Sequence, residues 1–277
     1  MKFTATFAAI IGVALALPAP IDLGDGVTLI PREPRANQRR AKLRKTNPKI
    51  PAESVEGAVV EFTNVTNPSY STNWAGAVLI GSGYTSVTGT IVVPTPSVPS
   101  GGSSRTEYAA SAWVGIDGDT CQTSILQTGV DFYVEGSSVA FDAWYEWYPD
   151  YAYTFSGFTV SAGQSIQMTA TATSTTAGSV TIHNLSSGQS VTHSFSGQSA
   201  ALCETNAEWI VEDFESGGSL VPFADFGTVT FTGCSVTTSS GSTLGVTGAE
   251  IIDIRQSGTV LTDCSTSGTS TVTCTYV

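Results

Sequence analysis

The sequence predicts an all-β protein, an antiparallel two-sheet β-sandwich of the jelly-roll kind, behind two N-terminal segments that are no part of it. Three observations point there. From residue 67 onward Ser, Thr, Gly and Val dominate, no lysine follows Lys49, and strong helical periodicity is missing. Apolar and polar residues alternate with period two in run after run, as on strands with one buried face. The charge is also divided. Nine of the eleven basic residues precede residue 50, whereas residues 67–277 carry Arg105 and Arg255 against seventeen acidic groups, a formal charge of −15.

The elements follow in chain order. Met1 and Lys2 lead an apolar run over 3–17 that ends in Ala14-Leu-Ala16, a plausible cleavage site. A run this short suits a secretory signal, since a membrane span needs about 20 apolar residues. Residues 1–19 are therefore read as a signal peptide, cut near 16–19, and no later stretch suits a bilayer. Residues 20–66 are poor in aromatics and hold Pro31, Pro34, Pro48, Pro51 and the basic run 39–45. Such runs are usually solvated or disordered. Nucleic acid is a poor partner, because phosphate would be repelled by a body at −15. A basic strip is instead the natural ligand of an acidic cleft, so 20–66 is expected to be an inhibitory propeptide. The mature protein, 67–277, is then a secreted, extracellular single domain, expected to be monomeric and to touch no membrane.

Within that body, strands are predicted over 73–80, 84–93, 109–116, 138–148, 165–173, 179–183, 206–214, 229–231 and 269–276, many separated by Gly-Ser or Gly-Gln turns. That many strands at this spacing imply two packed sheets. The stretch near Ser100 reads as a surface loop. Five cysteines in a secreted chain imply disulfides with one thiol left over. A hairpin about Ser267-Gly-Thr269 would set Cys264 opposite Cys274. Cys121 and Cys203 can pair across the sandwich, leaving Cys234 odd. No CxxC is present and His183 and His193 stand alone, read as surface strand residues, so no metal or cofactor is expected. Asn184-Leu-Ser186 is a candidate glycan sequon, and a second, at Asn64, would leave with the propeptide.

Familiar hydrolase signatures are missing: no Gly-x-Ser-x-Gly, no His-Glu-x-x-His, no paired Asp-Thr-Gly. An enzyme built on this chain must work with carboxylates and amides. Three segments are dense in them: 111–131, 141–149 and 205–215. On strands, Ile125, Gln127, Gly129 and Asp131 share one face, as do Glu208, Ile210 and Glu212. Polar groups alternating with bulky apolar ones suit a cleft lining, and equally suit ordinary polarity on half-buried strands.

The same segments resemble the glutamic peptidases, the pepstatin-insensitive acid proteases of filamentous fungi also called eqolisins. The resemblance runs from Ser71-Thr-Asn-Trp-Ala-Gly-Ala-Val78 to the C-terminus. It is most specific in Trp113-Val-Gly-Ile-Asp-Gly-Asp-Thr-Cys121, Ile125-Leu-Gln-Thr-Gly129, Tyr145-Glu-Trp-Tyr-Pro149 and Asn206-Ala-Glu-Trp-Ile-Val-Glu-Asp-Phe-Glu215. It implies a precursor, a concanavalin-like sandwich, peptide or protein substrates and a catalytic pair of Gln127 and Glu212. The short loop before Trp113 lacks the basic insertion that some relatives excise, implying a single-chain mature form.

Glu212 would take a proton from a water and return it to the leaving amine. The Gln127 amide would donate to the tetrahedral oxyanion and orient the water through its carbonyl. Trp113, Asp131 and Glu146 are expected to line the cleft. Trp144 and Trp147 are read first as core residues, and Asp117 and Asp119 as turn formers. Two sugar-directed alternatives share the fold: a glycoside hydrolase using Glu146 and Glu212, and a carbohydrate-binding module.

Overall fold

The computed structural model describes residues 44–52 and 68–277, with the backbone alone of two short strands, Ile21–Asp22 and Thr28–Pro31. The expected leader, most of the basic segment and the Asn64 sequon lie outside the described residues.

The main strands of the body are β1 (Trp74–Ile80), β2 (Tyr84–Val92), β3 (Glu107–Ile116), β4 (Ile125–Glu135), β5 (Ser138–Tyr148), β6 (Tyr153–Phe155) and β7 (Ser165–Ser174). They continue as β8 (Ala177–Asn184), β9 (Ser190–Phe195), β10 (Asn206–Glu212), β11 (Thr228–Thr238), β12 (Glu250–Gln256), β13 (Thr262–Ser267) and β14 (Thr271–Tyr276). They form an all-β sandwich. An eleven-stranded sheet sets β6, β5, β4, β3, β10, β1 and β12 side by side, and an eight-stranded sheet runs β9, β8, β7, β2, β11, β14, β13.

The second sheet behaves as a half-buried sheet should. On β7, Ile166, Met168 and Ala170 are buried while Gln167, Thr169 and Thr171 lean outward. Its outer face is laced by hydroxyl pairs across strands, such as Thr88–Thr169 at 2.9 Å and Thr181–Thr192 at 2.8 Å, contributing roughly 0.2–1 kcal/mol each. Inward side chains meet Ala77, Ala112, Val114, Val130 and Trp209 of the first sheet in one continuous apolar core.

The first sheet breaks the alternation. Every residue of β10 is buried, because the face turned away from the core is covered as well. That face carries Trp74, Trp113, Trp144, Ile210 and Ile252, and what covers it includes residues 44–52. Arg44–Lys45 pairs antiparallel with Glu215–Ser216, just beyond β10.

Cys121 is bonded to Cys203 at a sequence separation of 82, worth about 4.5 kcal/mol of loop entropy. Cys264 is bonded to Cys274 directly across β13 and β14, and Cys234 is a buried free thiol. Two expectations are corrected. Asn184 is fully buried. Its Nδ2 donates to the Thr159 carbonyl (3.3 Å) and Gln164 Oε1 (3.0 Å), and its Oδ1 accepts from the Ser186 and Ser187 N–H groups. It builds a turn and offers no nitrogen to a glycan. His193 is not a free surface residue: it stacks on Tyr145 with centroids 4.1 Å apart, and burial pushes its imidazolium down to about 4.

Candidate active site

Register across the first sheet arranges the outward side chains in rows. One row reads Glu250, Val78, Glu208, Gly115, Gln127, Glu146. The next reads Ile252, Gly76, Ile210, Trp113, Gly129, Trp144, and the third Trp74, Glu212, Ser111, Asp131, Asp142. Gln127 and Glu212 thus stand on strands either side of β3, and Trp113 fills the row between them. Glycines make room for its indole. A Cβ at Gly115 would lie 2.7 Å from Trp113 Cζ3, and one at Gly129 would lie 2.5 Å from Trp113 Cβ. Trp74 packs edge-on against the same ring at 5.0 Å.

Glu212 is fully buried. Its Oε2 accepts from Trp113 Nε1 (3.0 Å) and its Oε1 from the Asn47 N–H (3.3 Å). Burial pushes its carboxyl up to about 7, against the pull of the Arg44 guanidinium and those two donors. The Gln127 amide is buried and makes no hydrogen bond among the described residues. Beyond Gly115, Glu208 is likewise buried with neither oxygen bonded, and desolvation, with Asp117 and Asp119 nearby, holds its carboxyl well above the usual range. Around Trp113 the floor thus sets the hydrogen-bonded carboxyl of Glu212, the uncommitted amide of Gln127 and the raised carboxyl of Glu208.

Residues 44–52 lie along this floor as a peptide ligand would. The Arg44 guanidinium, 1% exposed, grips Asp131 through two bonds, Nε to Oδ2 at 3.1 Å and Nη2 to Oδ1 at 3.0 Å. Tyr133 also donates to Asp131 (2.8 Å), and the guanidinium lies over the Phe214 ring at 3.4 Å. The Thr46 N–H donates to Glu146 Oε2 (3.2 Å). The Asn47 carbonyl accepts from Trp74 Nε1 (3.0 Å) and Asn73 Nδ2 (3.4 Å), and the Pro48 carbonyl from Asn73 Nδ2 (3.1 Å). Lys49 reaches Asp119 (2.6 Å) and Glu250 (3.2 Å).

Residues 72–276 match the Peptidase A4 family. The chain belongs to that family. Aspergillopepsin-2 of Aspergillus niger is 53% identical over 293 aligned residues, and scytalidopepsin B of Scytalidium lignicola 46% over 287, each covering 100% of both chains. A crystal structure of scytalido-glutamic peptidase with a transition state analog inhibitor superposes with a TM-score of 0.68 at 50% identity, covering 74% of this chain and 98% of that one. The crystal structure of aspergilloglutamic peptidase from Aspergillus niger gives 0.59 at 64% identity, over 61% and 99%.

In this peptidase A4 chain, all five residues singled out from the sequence, Gln127, Glu212, Trp113, Asp131 and Glu146, fall on one face of one sheet. Sequence reasoning missed Asn73 and Trp74, although the Ser71–Val78 motif holds both. It also missed Glu250, and it read Asp119 only as a turn former. Asp117 is structural: at a φ of 72° its carboxylate accepts the N–H groups of Cys203, Glu204, Thr205 and Asn206. The grouping of Asp117 with Cys121 and Cys203 is no metal centre, since both sulfurs are in a disulfide.

Proposed function

We propose that this protein is a secreted acid endopeptidase in which Glu212 activates a water and Gln127 stabilises the tetrahedral oxyanion. In this reading residues 20–66 form an inhibitory propeptide. The observation that carries the proposal is the Asn47 N–H resting on Glu212 Oε1. A carboxyl that returns a proton to the leaving amine must sit against the nitrogen of the bond being cut, and here a peptide nitrogen occupies that place. The Thr46–Asn47 bond is thus held in substrate register, with Arg44 three residues before the cut and Lys49 the third residue after it.

The segment blocks the site without being turned over because the Gln127 amide is not engaged with it. Its carbonyl lacks the donor that would stabilise an oxyanion, a loss typically worth about 2.7–4 kcal/mol of transition-state stabilisation. A glycosidase reading gains nothing here, since the cleft holds a peptide backbone through amide and carbonyl contacts.

Two carboxyls beneath the segment respond to pH, Glu250 and Glu212. Glu250 is raised by burial, but the Ser69 hydroxyl and the Lys49 ammonium outweigh that and leave its pKa lowered. A group depressed by its partner favours the covered cleft above its pKa and stops doing so as pH falls through it. Protonating Glu250 therefore loosens the segment in acid. Glu212 feels the segment in both senses, since burial raises its pKa while the Arg44 guanidinium and the Asn47 N–H of the segment lower it. Release in acid thus rests on the Glu250–Lys49 pair. Once the segment leaves, water reaches Glu212 and offsets the desolvation that raised it.

The test is digestion of a denatured protein at about pH 3 with pepstatin present, comparing processed wild type with Glu212→Gln. Cleavage by wild type alone is expected. Inactivity of fully processed wild type would overturn the peptidase reading, and full activity of the variant would remove Glu212 from its role.

A further inference from the structure

We propose that Glu208 is a positioning residue for the reaction: its carboxyl O–H donates across Gly115 to Gln127 Oε1 and so turns the amide's Nε2 towards the reacting carbonyl. The inference rests on the reading above, in which Gln127 stabilises the oxyanion.

An amide carries a donor at one end and an acceptor of similar size at the other. With Oε1 facing the developing oxyanion, Gln127 would repel the charge that Nε2 is needed to stabilise. The amide must therefore be held one way round. In the covered cleft nothing does so: Gln127 is fully buried, and neither Nε2 nor Oε1 has a hydrogen-bond partner among the described residues.

Glu208 is the neighbour placed to set it. It stands two strands away in the same outward row, with Gly115 of β3 between the two. The glycine leaves that space open. A Cβ on residue 115 would lie 3.0 Å from Glu208 Oε1 and 3.3 Å from Gln127 Cβ, so both side chains border one gap, walled by the Trp113 ring. Both Glu208 oxygens are also buried without a partner among the described residues. Two unsatisfied polar groups on one gap are each costly alone, and one bond between them relieves both. On the far side of Gln127 stands Glu146, which accepts the Thr46 N–H. An acceptor there favours an amide N–H on that side and leaves Oε1 to Glu208. The second lone pair of Oε1 is still available to a water.

A carboxyl donates only while it holds its proton. Burial first, then the charges of Asp117 and Asp119, hold Glu208 well above the usual carboxylate range. The strands on either side bring no charge, since β1 and β3 set Val78 and Gly115 beside it. The next charged group along the row is Glu250, itself bonded to Lys49 of the covering segment. Glu208 thus keeps its donor in acid and loses it as pH rises through its folded pKa.

The test compares initial-rate kcat and KM of processed wild type, Glu208→Met and Glu208→Gln on one peptide, with rates corrected for the folded fraction seen by near-UV circular dichroism. Methionine keeps much of the shape and has no donor, so kcat should fall about tenfold or more with KM little changed. Glutamine restores an N–H donor and cannot ionise. It should recover most of that loss, and its decline in kcat/KM above the optimum should lie at higher pH than that of wild type. In a Gln127→Ala background, Glu208→Met should cost nothing further. An equal loss with and without Gln127 would make Glu208 merely structural and overturn the proposal. So would a decline that Glu208→Gln leaves where wild type has it, a comparison that decides alone should Glu208→Met fail to fold. Full activity of Gln127→Ala would instead remove the oxyanion role of Gln127, and the positioning role would fall with it.

Discussion

At the scale of single residues, the geometry of the cleft floor comes from how little freedom its polar groups have. Glu212 is held by the Trp113 indole and cannot rotate away without leaving that N–H unsatisfied. The same bond helps ionise it, because a donor to a carboxylate favours the charged form. Trp113→Phe removes the donor and keeps much of the ring. The pKa of Glu212 should then rise, and because the proposed role of Glu212 as base requires it to be ionised, the acid limb of the kcat/KM profile should move to higher pH. A limb that stayed in place, or moved to lower pH, would mean that the indole serves Glu212 only as packing. Glu208 illustrates the opposite treatment of a carboxyl. It lies next to Gly115 in the row that holds Gln127, has no donor among the described residues, and is held by desolvation well above the usual carboxylate range.

Among the elements, residues 44–52 behave as an extra strand laid on a finished sheet. Backbone pairing with Glu215–Ser216 sets direction, while Arg44 and Lys49 supply charge at the two ends. A synthetic peptide spanning 44–52 should therefore inhibit the mature enzyme near neutral pH and do so less well in acid. Replacing Arg44 with Ala deprives a buried carboxylate of its bidentate partner, a change worth about 2–5 kcal/mol, so inhibition should weaken by roughly 30-fold or more. A peptide that inhibits equally with and without the arginine would show that backbone pairing alone holds the segment.

How far such elements are legible in the sequence depends on which faces they bury. The second sheet, open to water on one side, announces β7 and β8 through strict alternation. Glu250–Gln256 and Thr262–Ser267 lack that signal because they are short and flanked by polar turns, and neither is among the predicted runs. β4 and β10 bury both faces, so their polar residues read at first as ordinary polarity and only the row-by-row register shows that Gln127 and Glu212 face one cleft. Asp119 and Glu250 were harder still: they converge from a loop and a strand start far apart in the chain, and no local pattern links them.

Taken as a whole molecule, the body sets seventeen acidic groups against two basic ones, and several of its acids are buried. Burial, with Glu135 and Asp142 nearby, raises Glu107 to about 7. Burial also raises Asp253 to about 7 against hydrogen bonds from Thr262 and the Cys264 N–H. Desolvation holds Glu208 and Asp213 well above the usual carboxylate range. Each has a folded pKa above its unfolded one, so its contribution is fully present below the ordinary carboxylate pKa and is lost as pH rises through the folded value. Melting temperature should accordingly be highest in acid and fall through about pH 7, where Glu107 and Asp253 titrate in the fold. Glu208→Gln separates this cause from surface repulsion, since an amide keeps the shape and cannot ionise. Measured in a Glu212→Gln background to prevent self-digestion, the added substitution should flatten the decline above the ordinary carboxylate pKa and change little below it. A melting temperature that climbs steadily from about pH 4 to 8 would refute the sign of the whole effect. An unchanged slope with Glu208→Gln would instead place the decline in the other raised carboxyls, Glu107, Asp213 and Asp253, or in the crowded surface charge.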